Sequence, residues 1–129
     1  MRFVDTNILL YRISREPTEA AKASVAARLL ASEDLCLSVQ VLQEFYVQAT
    51  RASRPDPLPH QDAVDLITSW KRYPVQEITV ELLDNALRSR SRWQLSYWDA
   101  AIVEAARLMG CRELLSEDLA SGHVYDGVR

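Results

Sequence analysis

Short apolar runs alternate with longer stretches of helical periodicity along this chain, and that alternation limits the fold more than any other feature. The runs are Arg2 to Val4, Leu35-Cys36-Leu37, Val75 to Ile78 and Glu113 to Ser116. Runs this short, with apolar residues at Phe3-Val4, Leu35-Cys36-Leu37, Val75, Ile78 and Leu114-Leu115, read as short strands of a parallel sheet. Between them, Thr18 to Ser32 places Ala20, Ala23, Ala27 and Leu30 at near-helical spacing. Ser38 is suited to cap a helix from Val39 to about Ala52 with the stripe Leu42, Phe45 and Ala49. Gln61 to Lys71 is a further helix, and Thr79 can cap another that runs to about Arg90. Trp98 to Met109 is the clearest helix, stopped by Gly110. Asp5-Thr6-Asn7 breaks the first strand, and Ile8 to Tyr11 continues as helix or loop. Three prolines between Arg54 and Pro59 mark a loop, and Val124-Tyr125 opens a candidate fifth strand. Parallel strands need long crossovers, usually helical, so this order predicts an α/β sandwich around a parallel sheet.

The chain of 129 residues has the length of one domain, residues 1–129. Apolar residues make up 48% and charged residues 26%, which fits a globular domain able to fold without disulfides or a structural metal. A net charge of −3 withholds the usual argument for nucleic-acid binding, so any such contact must use a local basic patch or bound cations. Cys36 and Cys111 lie in apolar runs with no CxxC pair and read as buried reduced thiols. Asp5 interrupts the N-terminus before any signal-peptide core forms, and no apolar stretch reaches membrane-spanning length, so a cytoplasmic location is expected.

Four acids fall near the sheet edge where the strands end. Asp5 follows the first strand and Asp118 the fourth; Glu44 lies in the second turn of one helix and Asp99 in the first turn of another. Ligands of open parallel sheets sit beyond the carboxyl ends of the strands. Clustered carboxylates repel one another, and a hard divalent cation such as Mg²⁺ or Mn²⁺ relieves that repulsion. Each acid also has a structural reading. Ser96-Tyr97-Trp98-Asp99 matches a capping box, Asp5 can form a turn, Glu44 can be a solvated helix residue, and Asp118 can cap a final turn.

The motifs around these acids resemble those of PIN domains. Phe3-Val4-Asp5-Thr6-Asn7-Ile8-Leu9 is similar to the opening motif, and Val41-Leu42-Gln43-Glu44-Phe45 to the segment with the family's glutamate. Leu95 to Ile102 resembles the third acidic motif and Leu114 to Leu119 the fourth. The resemblance implies a three-layer α/β/α sandwich with strand order 3-2-1-4-5. It implies endonucleolytic cleavage of RNA with Mg²⁺ or Mn²⁺. Compact members are typically VapC-type toxins of type II toxin–antitoxin pairs, so it also implies a homodimer and a small antitoxin partner. Carried over, Asp5 and Asp99 are the main metal ligands and Asp118 completes the site. Glu44 holds a metal-bound water or second ion, and Thr6, Asn7 and Ser116 orient these groups. Family members usually run through a full fifth strand, whereas this chain ends at Arg129, so a short or truncated fifth strand is expected.

The densest basic run, Arg88 to Trp93, precedes Asp99, and Arg90 and Arg92 are candidate RNA phosphate contacts. The alternative is a solvated helix end whose arginines favour the C-terminal dipole. Trp70, Trp93 and Trp98 read as core or interface residues. Two other functions fit less well. An aspartyl-phosphate phosphatase needs a second Asp where Asn7 stands. A non-catalytic PIN-like domain that binds RNA or a partner would normally have lost one of the acids.

Overall fold

The computed structural model describes residues 1–116 and Val128. Its four strands are β1 (Arg2–Val4), β2 (Leu35–Ser38), β3 (Val75–Gln76) and β4 (Glu113–Leu115). They form one parallel sheet in the order β3-β2-β1-β4. This is the expected order as far as the fourth strand. The fifth strand expected at Val124-Tyr125 lies outside the described residues.

Among the described residues, six α-helices flank the sheet: α1 (Thr6–Ile13), α2 (Ala20–Leu29), α3 (Val39–Ala49), α4 (His60–Trp70), α5 (Val80–Trp93) and α6 (Tyr97–Leu108). Of the helix and loop alternatives after the first strand, the structure takes the helix: β1 ends at Val4 as expected, and the Asp5 carboxylate caps a helix that begins at once with Thr6, two residues before Ile8. Ser38, Thr79 and Ser96 cap α3, α5 and α6 with their hydroxyls, as the sequence anticipates. Helix α5 runs three residues past Arg90 and ends at Gln94, which takes the left-handed conformation at φ 55°. Gly110 ends α6 at φ +75°, a conformation that costs a residue without Cβ nothing.

Strands β1 and β2 are the hydrophobic centre. Phe3, Val4, Leu35, Cys36 and Leu37 are buried, as expected for strands covered on both faces. The α3 stripe Leu42, Phe45 and Ala49 faces inward, and Trp70 meets Phe45 edge-on at 4.8 Å between ring centres. Val128 joins the same core. A second small cluster, Ala86 with Ala100 and Ala101, packs α5 against α6; alanines let the two helices approach closely. Among the described residues, no helix is long and apolar enough to cross a membrane.

Candidate functional site

The chain runs from β1 outward through β2 to β3 and then returns to the other side of β1 for β4. The boundary between β1 and β4 is therefore the point where the strand order reverses, the place where open α/β sheets bind ligands. Register sets which residues meet there. Val4 pairs with Leu115, so Asp5 and Ser116 emerge side by side at the carboxyl end of the two strands. The Asp5 N–H donates to the Leu115 carbonyl at 3.1 Å and holds that alignment one residue further.

Asp5 is buried, at 5% exposure. Its two carboxylate oxygens are held from opposite sides: the Ser116 hydroxyl donates to Oδ2 and the Thr6 N–H to Oδ1, each at 2.6 Å. A carboxylate so placed does two jobs. It caps α1, and it is aimed by the neighbouring strand. The turn-forming and functional readings of Asp5 are thus compatible.

Thr6 connects Asp5 to the next acid. Its hydroxyl donates to Glu44 Oε2 at 2.7 Å, tying the start of α1 to the second turn of α3. The other Glu44 oxygen, Oε1, accepts from Gln40 Nε2 at 3.0 Å. The same Gln40 nitrogen reaches the Trp98 carbonyl at 3.3 Å, in the first turn of α6 and immediately before Asp99. A continuous run of hydrogen bonds therefore joins Ser116, Asp5, Thr6, Glu44, Gln40 and the backbone beside Asp99. It links α1, α3 and α6 to the residues that follow β1 and β4, up to 111 positions apart in sequence.

Asp99 opens α6, and its N–H donates to Ser96 Oγ at 3.1 Å. That contact is the Ser96 half of the expected capping box. Asp118, two positions beyond Ser116, lies outside the described residues. Among the described residues, no three acidic, histidine or cysteine side chains group closely enough to hold an ion by themselves. Asp5 and Glu44 offer carboxylate oxygens that are already oriented by hydroxyl and amide donors. Such a donor set suits a hard divalent cation.

Gln40 is the residue that sequence reasoning passed over. It is buried to 7% exposure, which is unusual for a glutamine in the first turn of a helix. The available signal was its spacing: residues four apart share a helix face, so Gln40 stands beside Glu44. Of the core and interface readings of Trp98, the structure excludes core: it is 63% exposed, and with Gln40, Gln43, Glu44, Val47 and Arg51 it lines an open groove along α3. Trp70 is core as expected. The basic run falls elsewhere. Arg90 is exposed on α5, and Arg92 stacks its guanidinium over Trp93 at 4.7 Å and lines a different groove, between α5 and α6.

Known proteins share this architecture. The toxin VapC20 of Mycobacterium tuberculosis, which cleaves the sarcin–ricin loop, superposes with a TM-score of 0.74 at 21% identity, covering 98% of each chain. A chain of a toxin–antitoxin complex from Klebsiella pneumoniae gives a TM-score of 0.72 at 19% identity, over 100% of this chain and 96% of that one. FitAcB from Neisseria gonorrhoeae gives 0.65 at 17% identity, over 92% and 88%. No curated protein matches by sequence. At these identities the structural likeness is one of fold. The sequence profile of the PIN domain matches residues 2–125, the same span that carries the acidic motifs and the sheet that orders them, and the chain therefore belongs to the PIN domain family.

Proposed function

We propose that this protein is a divalent-metal-dependent endoribonuclease, the toxin of a type II toxin–antitoxin pair. The observation that carries the reading is the buried Asp5 carboxylate at the β1–β4 boundary, aimed by Ser116 and joined through Thr6 to Glu44. A structural cap has no need of a partner on the neighbouring strand, and a metal ligand does, because its direction must be fixed.

In this reading Asp5 and Asp99 hold the ion, with Asp118 completing the set, and Glu44 orients a water. A bound Mg²⁺ or Mn²⁺ supplies Lewis acidity toward the phosphodiester and lowers the pKa of a bound water. Thr6 and Gln40 keep the Glu44 carboxylate from rotating. Arg90 and Arg92 are retained as candidate phosphate contacts at the edge of the molecule. Arg51, at the α3 groove beside Glu44, is the better placed cation for RNA that reaches the acids. The apolar groove between α1 and α2, lined by Ile8, Tyr11, Ala21, Val25 and Ala26, offers a seat for an amphipathic antitoxin helix. A homodimer acting on cytoplasmic RNA completes the proposal.

The deciding experiment is thermal unfolding in EDTA, Mg²⁺ and Mn²⁺ for wild type and Asp99→Asn. An ion at ~100 times its Kd adds about 2.7 kcal/mol to the folded state. Asparagine leaves the Ser96 cap to the Asp99 backbone N–H intact and removes the charge. The expected result is a metal-induced rise in wild-type Tm that the variant largely loses, followed by metal-dependent RNA cleavage by wild type alone. A wild type indifferent to millimolar metal would sink the proposal.

A further inference from the structure

The chain has two cysteines, and the fold brings them together. Cys36 sits in β2, in register with Phe3 of β1. Cys111 directly follows Gly110, which ends α6. They are 75 positions apart, yet their Sγ atoms stand 2.6 Å from each other. Both are free, buried and part of the same apolar core. A disulfide bond is about 2.05 Å long, so the sulfurs need to close by only about half an ångström. Packing of α6 against β2 places them, not local spacing, and no third cysteine competes for either one.

We propose that Cys36 and Cys111 are a redox-active dithiol that closes to an intramolecular disulfide when the protein meets a peroxide. The sulfur that starts the reaction is Cys111. The two thiols share one hydrogen bond, in which either sulfur can be the donor; that contact holds the Cys111 thiol below its ordinary pKa, while it and burial push Cys36 up. The Cys111 thiolate attacks one peroxide oxygen, the O–O bond breaks, and the departing hydroxide takes a proton to leave as water. This gives a sulfenic acid at Cys111. Cys36 then gives up its proton and attacks that sulfur, the S–O bond breaks, and a second water leaves. Two thiols and one peroxide become one disulfide and two waters, the sulfurs losing the two electrons that the peroxide oxygens gain.

The bond would join two segments that serve the acidic site without touching it. β2 ends in Ser38, the cap of the helix that carries Glu44, and Cys111 leads into β4, which delivers Ser116 to Asp5. Because the cross-link closes a long loop, it mainly restricts the unfolded chain.

The test uses the full-length protein, reduced, desalted and exposed to a few equivalents of hydrogen peroxide. Thiols are titrated in denaturant, and intact mass is measured. The expected product is a monomer lighter by two hydrogens, with both thiols lost and both recovered by dithiothreitol. Its Tm should rise by roughly 10 °C over the reduced form. A digest should yield one cross-linked peptide pair containing Cys36 and Cys111. In Cys111→Ala the Tm gain should vanish. If that variant does not fold, the wild-type mass and peptide map decide alone. Two thiols still titratable, oxygen adducts without cross-linking, or a disulfide between two chains would each overturn the proposal.

Discussion

At the scale of the residue, the site depends on side chains that hold other side chains. Gln40 offers one amide nitrogen to two acceptors, Glu44 and the Trp98 carbonyl, and so fixes α3 relative to the start of α6 where Asp99 lies. Partners of this kind typically alter metal affinity or activity by about 10–100-fold when removed. Gln40→Ala is expected to raise the metal concentration for half-maximal thermal stabilisation by about 10-fold, and to lower RNA cleavage by a similar factor. The loss of buried hydrogen bonding should cost about 1 kcal/mol in the metal-free protein. A titration of Tm against Mg²⁺ separates the two effects: a structural role alone lowers every Tm equally and leaves the midpoint in place. Thr6→Ser keeps the hydroxyl that Glu44 accepts from and should retain the wild-type midpoint; Thr6→Val should not.

Ends of elements carry the next level of the design. The acids and their supports stand at element ends or in the first two turns of helices: Asp5 caps α1, Ser38 caps the helix of Gln40 and Glu44, and Ser96 caps the helix of Asp99. The sharp stop of α6 matters equally, because it turns the chain into β4 and toward Ser116. At Gly110 an added methyl group would meet nothing within 4 Å, so Gly110→Ala meets no clash and its penalty is that of a left-handed backbone alone. A loss of about 1 kcal/mol is expected on urea denaturation, with an unchanged m-value. A larger loss, or a changed slope, would mean that the turn does more than reverse the chain.

For the molecule as a whole, the sheet must keep register at its β1–β2 junction for the acids to align at the far end. Arg2 anchors the start of that junction. Its backbone N–H donates to the Asp34 carbonyl at 2.8 Å, and its guanidinium makes two bonds to the Asp34 carboxylate at 2.9 and 3.0 Å. The hydrogen-bonded guanidinium holds the Asp34 carboxyl below its ordinary value of 3.8. A depressed folded pKa means that the unfolded chain binds the proton more readily. The stabilisation is therefore complete above the ordinary carboxylate range and is lost as pH falls through the folded value. Asp34→Asn should melt slightly below wild type at neutral pH. The gap should close in strong acid and shrink with added salt, since the pair is exposed. A gap that persists below pH ~2 would assign the effect to packing instead.

Much of this organisation is legible in the residues taken in order. Apolar runs and helical stripes determine the α/β class and the helices from α2 onward, because period and burial are local properties that a sequence displays. Asp5, Glu44 and Asp99 stand out by their places just after strands or in early helical turns, and the motifs around them carry the family. What sequence order leaves open is which residues meet. Asp5 joins Ser116 because of a parallel register between strands 111 positions apart; Gln40 joins Trp98, and Cys36 joins Cys111, because α6 packs on the β2–α3 unit. Those contacts follow from burying apolar faces against one another, a condition on the whole chain that no short window contains. Even the helical start at Thr6 belongs here: Asp5 looks like a breaker by composition, and becomes a cap once β1 is placed in the sheet and the strand must turn away from its carboxyl edge.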